Sequence, residues 1–330
     1  MRIDMHSHVV PPAWPDWARR HGSGPWPNLA ARSDGATMLM MGDKPFCPVD
    51  ERFWSGAKRI ADMDRLKVDV QVLSPVPVMT CYWADAEANR QFSRMLNDHI
   101  AATVAEHPDR FWGMATLPMQ DPQLAIGELR YVRETLQMRS VQIGSTPAGR
   151  ELDDPALFPF FEACSEMGVS IFVHPLDPVI GRERLTDYYL NNVLGNVMET
   201  AIAMSRLICG GVLERLPKLR LCFAHAGGAF PYVLGRLDRA FHVRPEARQR
   251  ITQPPSAWAR SLYVDSQSLD AASLRFALEK HGADHVVMGS DYPFGLGEPD
   301  PVGFVQGAGV GADAASAIMD ANVQAFMHRT

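Results

Sequence analysis

The chain has 330 residues, of which 46% are hydrophobic and 21% are charged, a balance typical of a globular protein with a large buried core. Its 38 acidic and 32 basic residues give a formal net charge of -6 and are spread without a Lys/Arg block, so we expect no nucleic acid partner. No apolar run reaches the roughly 20 residues of a membrane-spanning helix, and the start MRIDMHSH lacks a signal-peptide core. We therefore expect a cytoplasmic protein without a membrane partner.

Short runs rich in valine, isoleucine and leucine recur along the chain, and a longer segment with helical spacing of apolar residues follows each run. The predicted strands are Arg2–Met5, Val68–Ser74, Phe111–Leu117, Ser140–Gly144, Ser170–Val173, Arg220–Ala224, Leu262–Asp265 and His285–Gly289. The predicted helices are Glu51–Leu66, Asp85–His107, Pro122–Glu134, Pro155–Met167, Gly195–Leu216, Phe230–Phe241, Leu269–Lys280 and Ala312–Met327. Continuously apolar strands are typical of a parallel sheet buried on both faces, so a closed barrel and a doubly wound sheet are the two candidates.

The segment from about residue 11 to residue 46 follows neither period and is rich in proline, glycine and tryptophan. This composition predicts a small lobe inserted after the first strand of a single domain that spans residues 1–330. The five cysteines are an odd number without a CxxC pair, which argues against a disulfide framework and against a thiolate zinc site.

Polar residues terminate several of the apolar runs, and in a barrel the catalytic side chains come from the carboxyl ends of the strands. His6 and His8 follow the first run, His174 follows the fifth and Asp291 follows the eighth. Side chains two apart on a strand point to the same face, so both imidazoles of the HxH pair can reach one ion. His174 and Asp291 would complete a shell of three nitrogens and one oxygen, with water in the remaining position, and zinc suits such ligands best.

His225 follows the sixth run and precedes an Ala-Gly-Gly turn that lets the backbone approach a ligand closely. A histidine near a metal-bound water can hold and move a proton at neutral pH, so we predict general acid–base catalysis by His225. Simpler roles stay open at this point. His174 could make only a structural hydrogen bond, Asp291 could cap the following turn, and His225 could start a helix.

Eight segments occur in a characteristic order and spacing: HSH, PVM, YWA, FWGMATLPMQDP, VQIG, FVHPLDP, FAHAGGAFPYVLGR and MGSDYPFGLGE. Together they resemble the 2-amino-3-carboxymuconate-6-semialdehyde decarboxylase family of the amidohydrolase superfamily over nearly the whole chain. The resemblance implies a distorted (β/α)₈ TIM barrel with a small inserted lobe, one zinc ion, and release of carbon dioxide without an organic cofactor. It also implies metal ligation by His6, His8, His174 and Asp291, and an acid–base role for His225.

The resemblance further implies a homodimer in which an arginine, matched here by Arg236, enters the active site of the neighbouring subunit and meets a substrate carboxylate. Phe294, Trp83 and Cys47 lie in or beside the matching segments, and we expect them to contact the substrate. Cys47 stands where the family has a second carboxylate-binding arginine, and Asn192 stands where it has a tryptophan. We therefore expect a reshaped substrate pocket.

The predicted reaction is nonoxidative decarboxylation of a carboxylated muconate semialdehyde or a related aromatic-derived acid, with His225 taking and returning the proton. A mononuclear hydrolase or hydratase is the alternative, since the same ion and histidine could deliver hydroxide to a substrate. A binuclear site is disfavoured because the strand-four segment Ser140–Gly144 contains no lysine. A binding protein that retained the fold is the third possibility, and metal content without turnover would support it.

Overall fold

A computed structural model describes residues 1–22, 24–33, 35–176 and 181–329. Asp177 and Pro178 of the FVHPLDP segment lie outside the described residues. The strands are β1 (Ile3–Val9), β2 (Pro27–Ala31), β3 (Thr37–Met41), β4 (Lys44–Val49), β5 (Val70–Pro75), β6 (Phe111–Gly113), β7 (Ala115–Thr116), β8 (Ser140–Gly144), β9 (Ser170–His174), β10 (Leu221–Phe223), β11 (Tyr263–Asp265) and β12 (Val286–Val287). The α-helices are α1 (Trp17–His21), α2 (Gly56–Arg65), α3 (Ala86–Glu106), α4 (Pro122–Glu134), α5 (Phe158–Met167), α6 (Val197–Cys209), α7 (Val212–Arg215), α8 (Phe230–Val243), α9 (Pro255–Ala259), α10 (Ala271–His281), α11 (Pro301–Gly307), α12 (Ala312–Met319) and α13 (Ala321–Phe326).

All strands except those of the inserted segment form one closed ring of parallel neighbours. Pairing runs from β1 to β5 and β6, and from β7 through β8, β9, β10 and β11 to β12. A single residue, Met114, separates β6 from β7, and its backbone N–H donates to the Leu73 carbonyl at 2.9 Å. At the other seam the Met5 N–H donates to the Met288 carbonyl at 2.8 Å, and Ser7 forms a parallel bridge with Tyr292. These contacts close the sheet, so the (β/α)₈ barrel is confirmed and the doubly wound sheet is excluded.

Alternate residues of several barrel strands pack into two different cores, as the period of two requires. Ile171 and Val173 of β9 pack in the larger core between the strands and the surrounding helices. Phe172, which lies between them, packs in a smaller core together with Val323 and Phe326 of α13. Polar side chains on the inward face can therefore meet only toward the end of the barrel that this smaller core leaves free.

The inserted segment forms an antiparallel sheet in the order β2-β3-β4, and its last strand continues to Val49, beyond the expected end of the lobe at residue 46. Trp17 and Trp26 of this lobe pack against Phe92 of α3, with ring centroids 5.2 and 5.6 Å apart. These aromatic contacts attach the lobe to the barrel beside the carboxyl end of β5.

Several observed elements differ in extent from the predicted ones. Strand β1 continues past its predicted end at Met5 because β5 and Tyr292 provide hydrogen-bonding partners as far as Val9. The predicted helix Gly195–Leu216 is divided into α6 and α7 at Gly211, whose φ of 74° a helix interior does not allow. Within the described residues, no helix combines the length and the apolar character needed to cross a membrane.

Candidate metal centre

The two histidines of the HxH motif are fully buried on β1, and their Nε2 atoms lie 3.0 Å apart. His6 Nδ1 lies 2.7 Å from Asp265 Oδ2, which is a strong hydrogen bond. His8 Nδ1 lies 3.2 Å from the Pro75 carbonyl and 3.1 Å from Ser74 Oγ. Because each Nδ1 is engaged by a neighbour, each Nε2 is left to bind a ligand.

His174 and Asp291 reach the same point from the ends of β9 and β12. His174 Nδ1 lies 2.7 Å from the Pro175 carbonyl, whereas its Nε2 is buried and has no hydrogen-bond partner among the described residues. Asp291 Oδ1 lies 3.1 Å from His8 Nε2 and 3.4 Å from His6 Nε2. One candidate ligand atom from each residue lies within 4.8 Å of the other three, and we call this set the ligand cluster: His6, His8, His174 and Asp291.

Two members of the ligand cluster, His174 and Asp291, have protonation states that suit a divalent cation. Burial lowers the pKa of His174 well below its ordinary value, and the neighbouring His225 lowers it further. Burial by itself would raise the pKa of Asp291, but the adjacent His6 and His8 outweigh burial and hold that pKa below the usual range. A neutral imidazole and an ionised carboxylate are the forms that ligate metals, so these residues fit a bound divalent ion.

His225 lies beside the ligand cluster in a tight turn after β10. Its ring centroid is 5.1 Å from that of His174 and 5.6 Å from that of His6. Its φ is 59° and that of Ala226 is 55°, a left-handed conformation that positions the imidazole over the barrel end. Burial lowers the pKa of His225 although Asp291 opposes this, so the ring is neutral near pH 7 and can accept a proton.

A cavity of about 440 Å³ is lined by both His225 and Asp291 and is large enough for a small organic molecule. Its neutral polar lining consists of Asn192, Asn196, Gln267, Ser268 and Ser273. Aliphatic and aromatic residues supply most of the remaining wall, and no lysine or arginine of the described chain lines it. The cavity therefore offers hydrogen bonds but no cationic side chain from its own subunit.

Two of the expected substrate contacts differ in their distance from the ligand cluster. The Phe294 ring lies 5.5 Å from the His8 ring, so this residue adjoins the cluster directly. Trp83 is 45% exposed and packs edge-to-face on Trp26 of the lobe at 4.9 Å, and it does not line the cavity.

The other two expected contacts, Cys47 and Arg236, lie on β4 and α8. Cys47 is half-buried, and burial raises the pKa of its thiol to about 12, so the thiol is neutral at pH 7. Burial raises the pKa of Tyr189, and Asp291 and Cys47 raise it further. Arg236 is exposed and makes no ion pair or hydrogen bond within the described parts of the chain.

No role was predicted for Asp265 from the sequence, although its position carried a signal. Asp265 ends the predicted strand Leu262–Asp265, so it follows an apolar run as the candidate ligands do. In the structure it is fully buried and bonded to His6. A strand-end carboxylate can thus serve a metal centre by holding a ligand.

Comparisons with known proteins agree with this geometry. A family model described as amidohydrolase matches residues 3–330. The chain is 40% identical over 303 residues to the 2-amino-3-carboxymuconate-6-semialdehyde decarboxylase of Dictyostelium discoideum, covering 91% of this chain and 84% of the relative. The resemblance inferred from the sequence motifs is therefore confirmed.

Solved structures show the same architecture. Metarhizium anisopliae IDCase in its apo form is 23% identical, with a TM-score of 0.86 over 100% of this chain and 97% of that chain. The 5-carboxyvanillate decarboxylase of Novosphingobium aromaticivorans, solved with manganese and 4-hydroxy-3-methoxy-5-nitrobenzoic acid, is 26% identical, with a TM-score of 0.76 over 84% of this chain and 82% of that chain. With a closed barrel, converging candidate ligands at the strand ends and a family match along almost its whole length, this chain belongs to the amidohydrolase family.

Proposed function

We propose that this chain is a metal-dependent nonoxidative decarboxylase that acts on a carboxylated muconate semialdehyde or a related aromatic-derived acid. The observation that carries the proposal is the convergence of three imidazoles and one carboxylate beside His225 at a cavity of substrate size. The proposed ligands are His6, His8, His174 and Asp291. We propose zinc as the ion because three nitrogens and one oxygen suit it best, and no organic cofactor is required.

The residues around the cavity can carry out the remaining chemistry. When bound, a divalent ion supplies Lewis acidity that orients and neutralises the oxygens of the substrate. The bond between the carboxylate carbon and its neighbour breaks, and the electron pair stays on the neighbouring carbon. His225 takes up one proton and delivers it to that carbon as carbon dioxide leaves, so each turnover consumes one proton.

The cavity lining favours a substrate with few negative charges. No described lysine or arginine lines it, and residues 177–180 contain neither residue type. The neutral Cys47 thiol cannot provide the bidentate, charge-assisted hydrogen bonds of an arginine. Amide and hydroxyl groups such as those of Asn192 and Ser268 instead suit hydroxyl or amino substituents of a substrate with one carboxylate.

We also propose a homodimer in which Arg236 acts in the active site of the neighbouring subunit. Arg236 is exposed on α8, and Tyr232 on the same helix lines the cavity while remaining 81% exposed. A second subunit over this face would bury Tyr232 and could supply the positive charge that the cavity lacks.

Subunit complementation tests the shared site. Mixed dimers of inactive His225→Asn and inactive Arg236→Ala should recover part of the wild-type activity, because one site in each dimer regains both residues. Arg236→Lys serves as the matched control and should retain only part of the activity, since lysine does not reproduce a bidentate arginine. Verified mixed dimers without any recovery would contradict action in trans.

We further propose a single domain and a cytoplasmic location. The aromatic contacts of Trp17 and Trp26 with Phe92 support one domain, because they join the core of the lobe to a barrel helix. The five free cysteines support a reducing compartment: Cys47, Cys81, Cys164, Cys209 and Cys222.

The reaction is tested by incubating zinc-loaded protein with the aminocarboxymuconate semialdehyde and with a panel of ortho-hydroxy and ortho-amino aromatic acids. Carbon dioxide release and loss of substrate absorbance should rise together in the wild type and be absent in His225→Asn. Product without carbon dioxide would instead identify a mononuclear hydrolase or hydratase. Stoichiometric metal without turnover of any compound would favour a binding protein.

A further inference from the structure

Asp265 contacts three parts of the active site through one fully buried side chain at the end of β11. Its Oδ2 lies 2.7 Å from His6 Nδ1. Its Oδ1 accepts hydrogen bonds from the Ala226 N–H at 2.8 Å and from the Gln267 N–H at 3.1 Å. One carboxylate therefore bonds a residue of the ligand cluster, the turn after His225 and the backbone of a residue that lines the cavity.

The chemistry of the contacts sets the protonation of His6. An ionised carboxylate only accepts hydrogen bonds, and both backbone partners are N–H donors. The bond to Oδ2 therefore places the His6 proton on Nδ1, which leaves the lone pair on Nε2 directed toward the rest of the ligand cluster.

Packing fixes the position of this pair. A Cβ atom added at Gly289 would lie 2.8 Å from His6 Cβ and 3.1 Å from Asp265 Cβ. No larger residue fits between the strands at this place, so His6 and Asp265 approach each other across a glycine.

The turn that carries His225 needs an external partner as well. His225 and Ala226 both have positive φ, which is unfavourable for residues with a side chain. The Gly228 N–H closes the turn on the His225 carbonyl at 2.8 Å, and the Ala226 N–H is taken by Asp265. Asp265 thereby links the orientation of His225 to that of His6.

We infer that Asp265 is a positioning residue that sets the metal affinity of the ligand cluster through His6 and holds His225 in place through the Ala226 N–H. The inference rests on the proposed metal centre. It differs from that proposal because it assigns a role to a residue that touches neither the ion nor the substrate.

The isosteric change Asp265→Asn separates the two contacts of the carboxylate. If the amide oxygen faces the backbone N–H groups, the NH₂ group faces His6 Nδ1 and forces the His6 proton onto Nε2, where it blocks the metal. If the amide turns over, its NH₂ group opposes the Ala226 and Gln267 N–H groups, and the His225 turn loses its partner. Either orientation leaves one side of the site mismatched.

The experiment measures zinc affinity by competition with a chromogenic chelator, together with the visible spectrum of the cobalt-substituted protein. Asp265→Asn should bind zinc about 10- to 100-fold more weakly than wild type and change the cobalt spectrum. Glu128→Gln is the matched control, since Glu128 is also a buried carboxylate and pairs with Arg90 and Arg94 at 3.0 and 2.6 Å on the outside of the barrel. This control should lower the unfolding temperature without changing zinc affinity.

The possible results separate the inference from the proposed function. Wild-type protein that binds no zinc would reject the metal centre itself. Wild-type zinc affinity and an unchanged cobalt spectrum in Asp265→Asn would reject only the role of Asp265. If the variant does not fold, exchange of the His6 Nδ1 proton with solvent is measured in zinc-loaded wild type labelled with ¹⁵N-histidine. This proton should be protected from exchange, and rapid exchange would overturn the inference.

Discussion

We predict that His281 makes the stability of this protein sensitive to mild acid. It is fully buried at the end of α10, its Nδ1 donates to the Ala259 carbonyl at 2.9 Å, and its Nε2 has no hydrogen-bond partner among the described residues. Burial lowers its pKa from 6.5 to about 4. A Cβ atom at Gly227 would lie 3.5 Å from His281 Nε2, so this ring supports the turn that carries His225.

The size and sign of the effect follow from this pKa. The unfolded chain binds a proton below about pH 6.5, whereas the folded chain resists it down to about pH 4, so the contribution is present above pH 6.5 and is lost on acidification. At about 1.4 kcal/mol per pH unit the full loss is about 3 kcal/mol. Between pH 7.5 and pH 5.0 the expected loss from His281 alone is about 2 kcal/mol.

Denaturant unfolding of metal-free protein at pH 7.5 and pH 5.0 measures this loss. The variant His281→Asn removes the titrating group and keeps an N–H donor for the Ala259 carbonyl. The cavity left by the smaller asparagine lowers the free energy of unfolding by the same amount at both pH values. The comparison therefore uses only the change in this free energy between the two pH values. Wild type should lose about 2 kcal/mol more than His281→Asn on going to pH 5.0. Equal losses would refute the assignment of a neutral buried imidazole.

Three further predictions concern the active site. Zinc at 100 times its Kd should stabilise wild type by about 2.7 kcal/mol, which raises the thermal unfolding temperature by about 4 °C for a chain of this length. Asp291→Asn should abolish most of this rise, and asparagine is chosen because it tolerates the φ of 63° at this position. His225→Asn should keep zinc affinity within about twofold while kcat falls about 10²- to 10⁴-fold, and wild-type kcat would exclude proton transfer by His225. Cys47→Arg should raise kcat/KM for dicarboxylates relative to monocarboxylates by about tenfold or more, because a charge-assisted hydrogen bond contributes about 1.5–3 kcal/mol. An unchanged ratio would place Cys47 away from the substrate.

The local pattern of the sequence was sufficient to predict most barrel elements and the residues that form the ligand cluster. The predicted strand Ser140–Gly144 and the predicted helix Pro122–Glu134 agree with the observed elements residue for residue. His6 and His8 converge because alternation along a strand sends residues two apart to the same face. Patterns of this kind depend only on the backbone period, so the chain itself displays them.

The sheet of the inserted lobe was missed for a physical reason. Strand β4 contains Pro45 and Pro48, which argue against a strand in any sequence-based reading. The structure accommodates both prolines because β4 lies at the edge of the sheet β2-β3-β4. Position in a sheet is a tertiary property that no local pattern contains.

Tertiary structure alone decided how the active site is supported. Asp265 and His6 are 259 residues apart in the chain, and only closure of the barrel brings them within 2.7 Å. The same closure brings the Nε2 atoms of the three histidines of the ligand cluster close to Asp291. It leaves Trp83 packed against Trp26 of the lobe, away from the cavity. Sequence determined which side chains point inward at the strand ends. Which of them touch was decided by the register of the closed barrel, because register fixes the distances between strands that are remote in the chain.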